Sequence, residues 1–349
     1  MDAHHAIPLS VLDLAVVGHG ATTAAALADT TMLAQRAEAL GYMRFWVAEH
    51  HNMPSIASTT PPVLIAHLAA MTSTIHVGSG GVMLPNHPPL VVAEQFALLE
   101  ALHPGRIDLG IGRAPGTDPS TAAALRRTPA GLGVEEFPRH LLDLMGLLGD
   151  PRTADGMWNR FSATPAATGT PTIVLLGSSG YSAQLAGQLG LPFAFAHHFD
   201  TGGTLQAIDL YRQNFKPSVV LEEPYAIVTA NVLTAATDDE AAWFAAPGQL
   251  MTFALRTGRP IQLASPQVAA VHPDLDAARR FPTNRIVGTP ATVFAELEEL
   301  IAATEANEIM IFTFTYSLEE RLRSLELLAQ AWLTRAAASP EPVQTALLH

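Results

Sequence analysis

The chain has no cysteine in 349 residues, which removes disulfides, Cys-ligated zinc, iron–sulfur clusters and thiol nucleophiles together and fits a reducing cytoplasm. Lysine is nearly absent, Lys216 being its one representative, and 19 basic residues face 32 acidic ones for a net charge of −13. A nucleic-acid backbone or an anionic membrane would be repelled by such a surface unless a local basic run intervened, and none occurs. Neither partner is expected. No apolar run approaches about 18 residues, and Met1-Asp2-Ala3-His4-His5 lacks the basic and apolar regions of a signal peptide. These absences predict a cytoplasmic protein.

What is abundant is apolar sequence, at 48%, enough to build one large core. Short apolar runs alternate with amphipathic stretches, the pattern of βαβ units and a parallel sheet. Eight runs read as strands: 9–17, 45–48, 75–84, 107–111, 172–176, 193–196, 225–233 and 309–314. Helices are predicted over 22–40, 61–71, 89–102, 134–148, 181–189, 204–215 and 289–304, and a last one opens at Ser317 with Glu320 at capping-box spacing. Thr289-Pro290 reads as an N-cap followed by proline at the first helical position. This α/β pattern predicts a (β/α)8 TIM barrel forming one domain over 1–349, with an open doubly wound sheet as the alternative. Two segments, 115–133 and 245–285, break the alternation and are expected to be long mobile insertions after the fourth and seventh strands.

Chemistry concentrates at the predicted strand ends. The run Phe45-Trp46-Val47-Ala48 ends on Glu49-His50-His51, titratable groups at the rim of a core. Successive strand residues face opposite sides, which disfavours a metal shared by His50 and His51. His19, His87 and His198 near other strand ends keep a metal-hydrolase alternative open. Gly78-Ser79-Gly80-Gly81 puts glycines inside a strand, as the close approach of a flat ligand, or a packing bulge, would require. Gly110-Ile111-Gly112-Arg113 lacks the third glycine and following helix of a dinucleotide fingerprint. It leaves Arg113 at a strand end, suited to a phosphate or to a surface ion pair. Gly177-Ser178-Ser179-Gly180-Tyr181-Ser182 opens a helix with free N–H groups and hydroxyls, an anion site or a plain cap.

In order and spacing, Glu49-His50-His51, the Gly78 to Pro88 stretch, Gly105-Arg106 through Gly112-Arg113, and Gly177-Ser178-Ser179 followed by Gly190-Leu191-Pro192 resemble the bacterial luciferase-like flavin monooxygenases. The likeness covers about residues 7 to 335 and is nearest the branch with polyketide-tailoring oxygenases, such as that of the mensacarcin pathway. It implies a (β/α)8 barrel, a homodimer through helices about 61–72 and 89–102, and FMN reduced by a separate flavin reductase. It assigns catalysis to His50 with Glu49, and cofactor binding to Ser79, Gly80, Gly81, Arg113, Gly177, Ser178, Ser179 and Ser182, with a non-prolyl cis peptide at Gly80-Gly81. Gly112 stands where luciferase itself has a reactive cysteine, which removes the expectation of light emission but not of oxygen activation.

The expected activity is a two-component monooxygenase that uses reduced FMN and dioxygen, through a peroxyflavin, to oxygenate an apolar small molecule such as a polyketide. His50 would handle protons. An F420-dependent reductase or dehydrogenase and a non-catalytic flavin-binding protein are the alternatives within the same fold.

Overall fold

The computed structural model describes residues 7–126, 135–166, 169–199 and 202–336. The strands are β1 (Leu9–Asp13), β2 (Arg44–Val47), β3 (His76–Met83), β4 (Ile107–Gly112), β5 (Thr172–Gly177), β6 (Phe193–Phe195), β7 (Ala226–Thr234), β8 (Arg285–Gly288) and β9 (Glu308–Phe312). Around them run α1 (Thr23–Ala39), α2 (Pro61–Met71), α3 (Pro89–Leu102), α4 (Pro119–Arg126), α5 (Phe137–Leu147), α6 (Gly180–Leu189), α7 (Thr204–Asn214), α8 (Asp238–Arg256), α9 (Pro266–Ala270), α10 (Leu275–Arg280), α11 (Pro290–Thr304) and α12 (Leu318–Ala336).

Strands β1 to β7 pair in order and in parallel, and β9 joins β7 to β1, closing an eight-stranded barrel. The open-sheet alternative is thereby excluded. Strand periodicity sorts the side chains: Phe45 and Val47, Leu109 and Ile111, Ile173 and Leu175, and Ile309 and Ile311 face the helices, while Trp46, Val174, Ala194 and Met310 fill the interior. The local signals hold as well. Ser317 and Glu320 exchange their side-chain bonds at the start of α12, and Thr289 caps α11 with Pro290 at its first position.

Three details depart from the sequence expectation. Strand β1 stops at Asp13 rather than Val17, because the Asp13 carboxylate accepts the Ala15 N–H (3.0 Å) and Ala15 takes a left-handed φ of 50°. The segment 245–285 starts inside α8, continues through α9 and α10, and ends on β8, a short strand paired to the distal half of β7 outside the barrel. The segment 115–133 contains α4, and its residues 127–133 lie outside the described ones.

At the floor of the barrel lies a buried polar cluster. Arg44 donates twice to Asp108 (2.9 Å each) and through Nε to Glu308, while Trp46 Nε1 donates to Asp108 (2.8 Å) and Tyr225 to Glu308 (2.9 Å). Burial opposes ionisation of Asp108, but the Arg44 guanidinium and the donors from His76 and Trp46 override it and hold the carboxyl well below its usual range.

Candidate active site

The C-terminal strand ends enclose a cavity of about 250 Å³. Its apolar wall includes Leu12, Leu14, Trp46, Ala48, Leu176 and Met310, and its polar wall comes from His50, Arg113, Ser178, Ser179, Ser182 and His198. A larger hollow of about 610 Å³ lies between α3, the end of α5 and residues 149–166 and 169–170, but no ionisable side chain lines it. Chemistry therefore selects the smaller cavity, which stands at the face where barrel enzymes work.

Beyond β2, the backbone turns so that Glu49, His50 and His51 part company. His50 lines the cavity, and its Nδ1 lies 3.1 Å from the Gly116 carbonyl. A carbonyl only accepts, so Nδ1 carries the proton and Nε2 keeps its lone pair. Burial lowers the His50 pKa, favouring that neutral form, against smaller opposing pulls from the Gly116 carbonyl and then Glu49. Glu49 is fully buried and is not on the cavity wall. It accepts from the Met83 N–H (2.9 Å), Asn86 Nδ2 (3.0 Å), His51 Nε2 (2.9 Å) and His87 Nε2 (2.9 Å). Burial alone would raise its pKa, and these donors, His87 foremost, bring it below the usual value. His51 and His87 are thus committed to one carboxylate, and no cluster of three or more His, Asp or Glu among the described residues could hold a metal ion.

The glycine stretch of β3 packs more tightly than a ligand bed alone would need. A Cβ on Gly81 would meet Leu176 Cδ1 at 2.2 Å and the Gly110 carbonyl at 2.7 Å, and one on Gly80 would meet Leu12 Cδ1 at 2.6 Å. The Gly80–Gly81 peptide is cis, and Gly80 reaches the cavity wall. Ser79 is buried, donates to the Gly110 carbonyl (2.9 Å), and with Gly81 lies behind that wall.

Arg113 and the serine turn, 64 or more residues apart, meet at the other end. The Arg113 guanidinium sits 4.2 Å from the centroid of the Tyr181 ring, in the first turn of α6. It forms no ion pair among the described residues, so the fork is left for another anion. Ser179 is the N-cap of α6 yet its hydroxyl makes no capping bond, and Ser182 in the first turn is buried against the same cavity. A guanidinium, spare hydroxyls and a helix N-terminus converging on one spot fit a phosphate monoester. Gly177 also lines the wall, where a Cβ would strike Ser182 at 2.7 Å. His198, which the sequence raised only as a candidate metal ligand, lines this cavity, brought to the wall by the turn after β6.

The chain is similar to known proteins over most of its length. Residues 7–307 match the model of the luciferase-like monooxygenase family. A luciferase-like monooxygenase of Escherichia coli is 44% identical over 326 residues, covering 92% of this chain and 96% of that one. The N-acetyl-S-alkylcysteine monooxygenase of Bacillus subtilis is 35% identical over 339 residues, covering 94% and 98%. Among solved structures, apo-MsnO8 superposes with a TM-score of 0.85 at 37% identity, covering 94% of this chain and 98% of that one.

Proposed function

The chain belongs to the luciferase-like monooxygenase family, a flavin-dependent oxidoreductase, and from that premise we propose that it is the oxygenase component of a two-component system using FMN reduced elsewhere. One observation carries the cofactor reading: Arg113 and the uncapped Ser178-Ser179 turn share an end of the cavity whose other polar wall is imidazole. Reduced FMN, when bound, supplies the two electrons with which dioxygen yields one oxygen atom to substrate and one to water. Arg113, Ser178, Ser179 and Ser182 would hold the phosphate, with Gly177 letting the chain approach and Gly80 and its neighbours giving the ring a flat wall. His50 takes up and returns a proton at Nε2, the atom left bare by its bond to Gly116. Glu49 acts through its neighbours, fixing Met83, His51 and His87 around the rim. Leu12, Leu14, Ala194 and Met310 exclude water and suit an apolar substrate, whether a polyketide-like ring system or the S-alkyl chain named for the B. subtilis relative.

A separate flavin reductase is part of this reading, and the lack of a dinucleotide fingerprint in the sequence is consistent with it. A homodimer through α2 and α3 is favoured by their exposed Val63, Met71, Val91, Leu98 and Leu102. No helix among the described residues is long and apolar enough to cross a membrane. Parallel titration with FMN and with F420 tests the cofactor, and tight F420 binding without FMN binding would replace oxygenation by hydride transfer.

A further inference from the structure

His198 belongs to the turn after β6 and was not required by anything in the flavin reading. Its ring is held between Phe199 and Phe312, with centroids 4.0 and 5.1 Å away. Nδ1 lies 3.3 Å from the Thr229 carbonyl and so carries the proton, leaving Nε2 a bare acceptor with no partner among the described residues. The residue lines the same cavity as His50 and is close enough to feel its charge. Nε2 is not among the side-chain atoms shut away without a partner, so on the cavity wall it stands open to a donor that enters.

We propose that His198 is a positioning residue for the flavin ring, accepting one of its N–H groups through Nε2. The inference rests on the flavin reading above. The flavin ring carries N–H donors, and the cavity is small for a ligand site, so a molecule with its phosphate at the Arg113 end extends to the imidazole wall. Proton transfer falls to His50, because burial, and then the nearby His197 and His50, lower the His198 pKa to about 3 and it stays neutral throughout the working range.

Fluorescence titration of wild type, His198→Phe, His198→Gln and Arg113→Ala with FMN and with riboflavin, which lacks the phosphate, separates the contacts. His198→Phe keeps the stacked ring and removes the acceptor, and it weakens both flavins about five-fold. His198→Gln, which retains an acceptor, recovers most of that loss. Arg113→Ala weakens FMN and leaves riboflavin unchanged. Should the phenylalanine variant fail to fold, nitrogen NMR of the wild type gives the same answer: the His198 Nε2 resonance moves when riboflavin is added. Unchanged affinity of His198→Phe for both flavins, or an unmoved Nε2 resonance with riboflavin bound, overturns this assignment alone. A wild type that binds neither flavin overturns the flavin reading with it.

Discussion

Replacing Glu49 by glutamine tests the rim with a change of one atom. The carboxylate meets four donors, with Oε1 accepting from His51, Asn86 and His87 and Oε2 from the Met83 N–H and His87. Glutamine keeps one acceptor oxygen, and its amide, whichever way it turns, points N–H groups at the Met83 N–H or at Asn86. At least one buried donor is stranded and the charge that strengthened the others is gone. Hydrogen bonds to charged groups contribute about 1.5–3 kcal/mol, so we expect Glu49→Gln to cost about 3 kcal/mol in chemical denaturation. Because Glu49 acts through its neighbours, kcat should fall less than in His50→Ala, while the affinity for riboflavin changes little. A variant within about 0.5 kcal/mol of wild type would refute the hub, as this is the scatter of ordinary surface substitutions. A loss of activity equal to that of His50→Ala at full stability would instead put Glu49 in the chemistry.

Other consequences follow from the same packing. Arg44→Met strands two buried carboxylates and is expected to cost about 3–5 kcal/mol by denaturation, much of it regained when Asp108 and Glu308 are also made apolar; a neutral single variant would contradict the floor network. Gly110→Ala, whose Cβ would lie 2.0 Å from the Ser79 carbonyl, should abolish soluble expression, whereas Gly112→Ala meets only the mobile end of Met83 and should cost no more than about 1 kcal/mol. Acid should destabilise the protein early. His198 titrates at about 3 when folded against 6.5 when unfolded, so below pH 6.5 the unfolded chain binds the extra proton, and stability falls by up to about 1.4 kcal/mol per pH unit until pH 3. His50 adds in the same direction. Denaturation curves from pH 7.5 to 5 should therefore be flatter for His198→Phe, and identical slopes would refute the burial of that imidazole.

The barrel was legible because each of its eight strands contains a short apolar stretch and most helices carry local start signals; α2 and α3 fall at the predicted residues. Strand β8 was not, since only Ile286 and Val287 of Arg285-Ile-Val-Gly288 are apolar, too few to read as a run. The convergence of Arg113 with the serine turn was legible only as a condition, because it depends on β4 and β5 being neighbours. The floor cluster was invisible: Arg44, Asp108 and Glu308 are isolated charges far apart in the chain, brought together by the facing of alternate strand residues. The roles of Glu49 and His198 escaped for a related reason. Which way a histidine or a carboxylate turns beyond a strand end is decided by carbonyls and amides contributed from elsewhere, here Gly116, Thr229 and Met83.

Anaerobic titration with reduced FMN, followed by rapid mixing with dioxygen, tests whether the barrel works as a flavin-dependent oxygenase. We expect saturable binding of one FMN per chain, weakened by Arg113→Ala, and a flavin–oxygen transient that outlives the one in free solution and changes in His50→Ala. Bound reduced FMN that reoxidises as it does without protein would contradict the oxygenase reading, and absence of binding would contradict the flavin site itself.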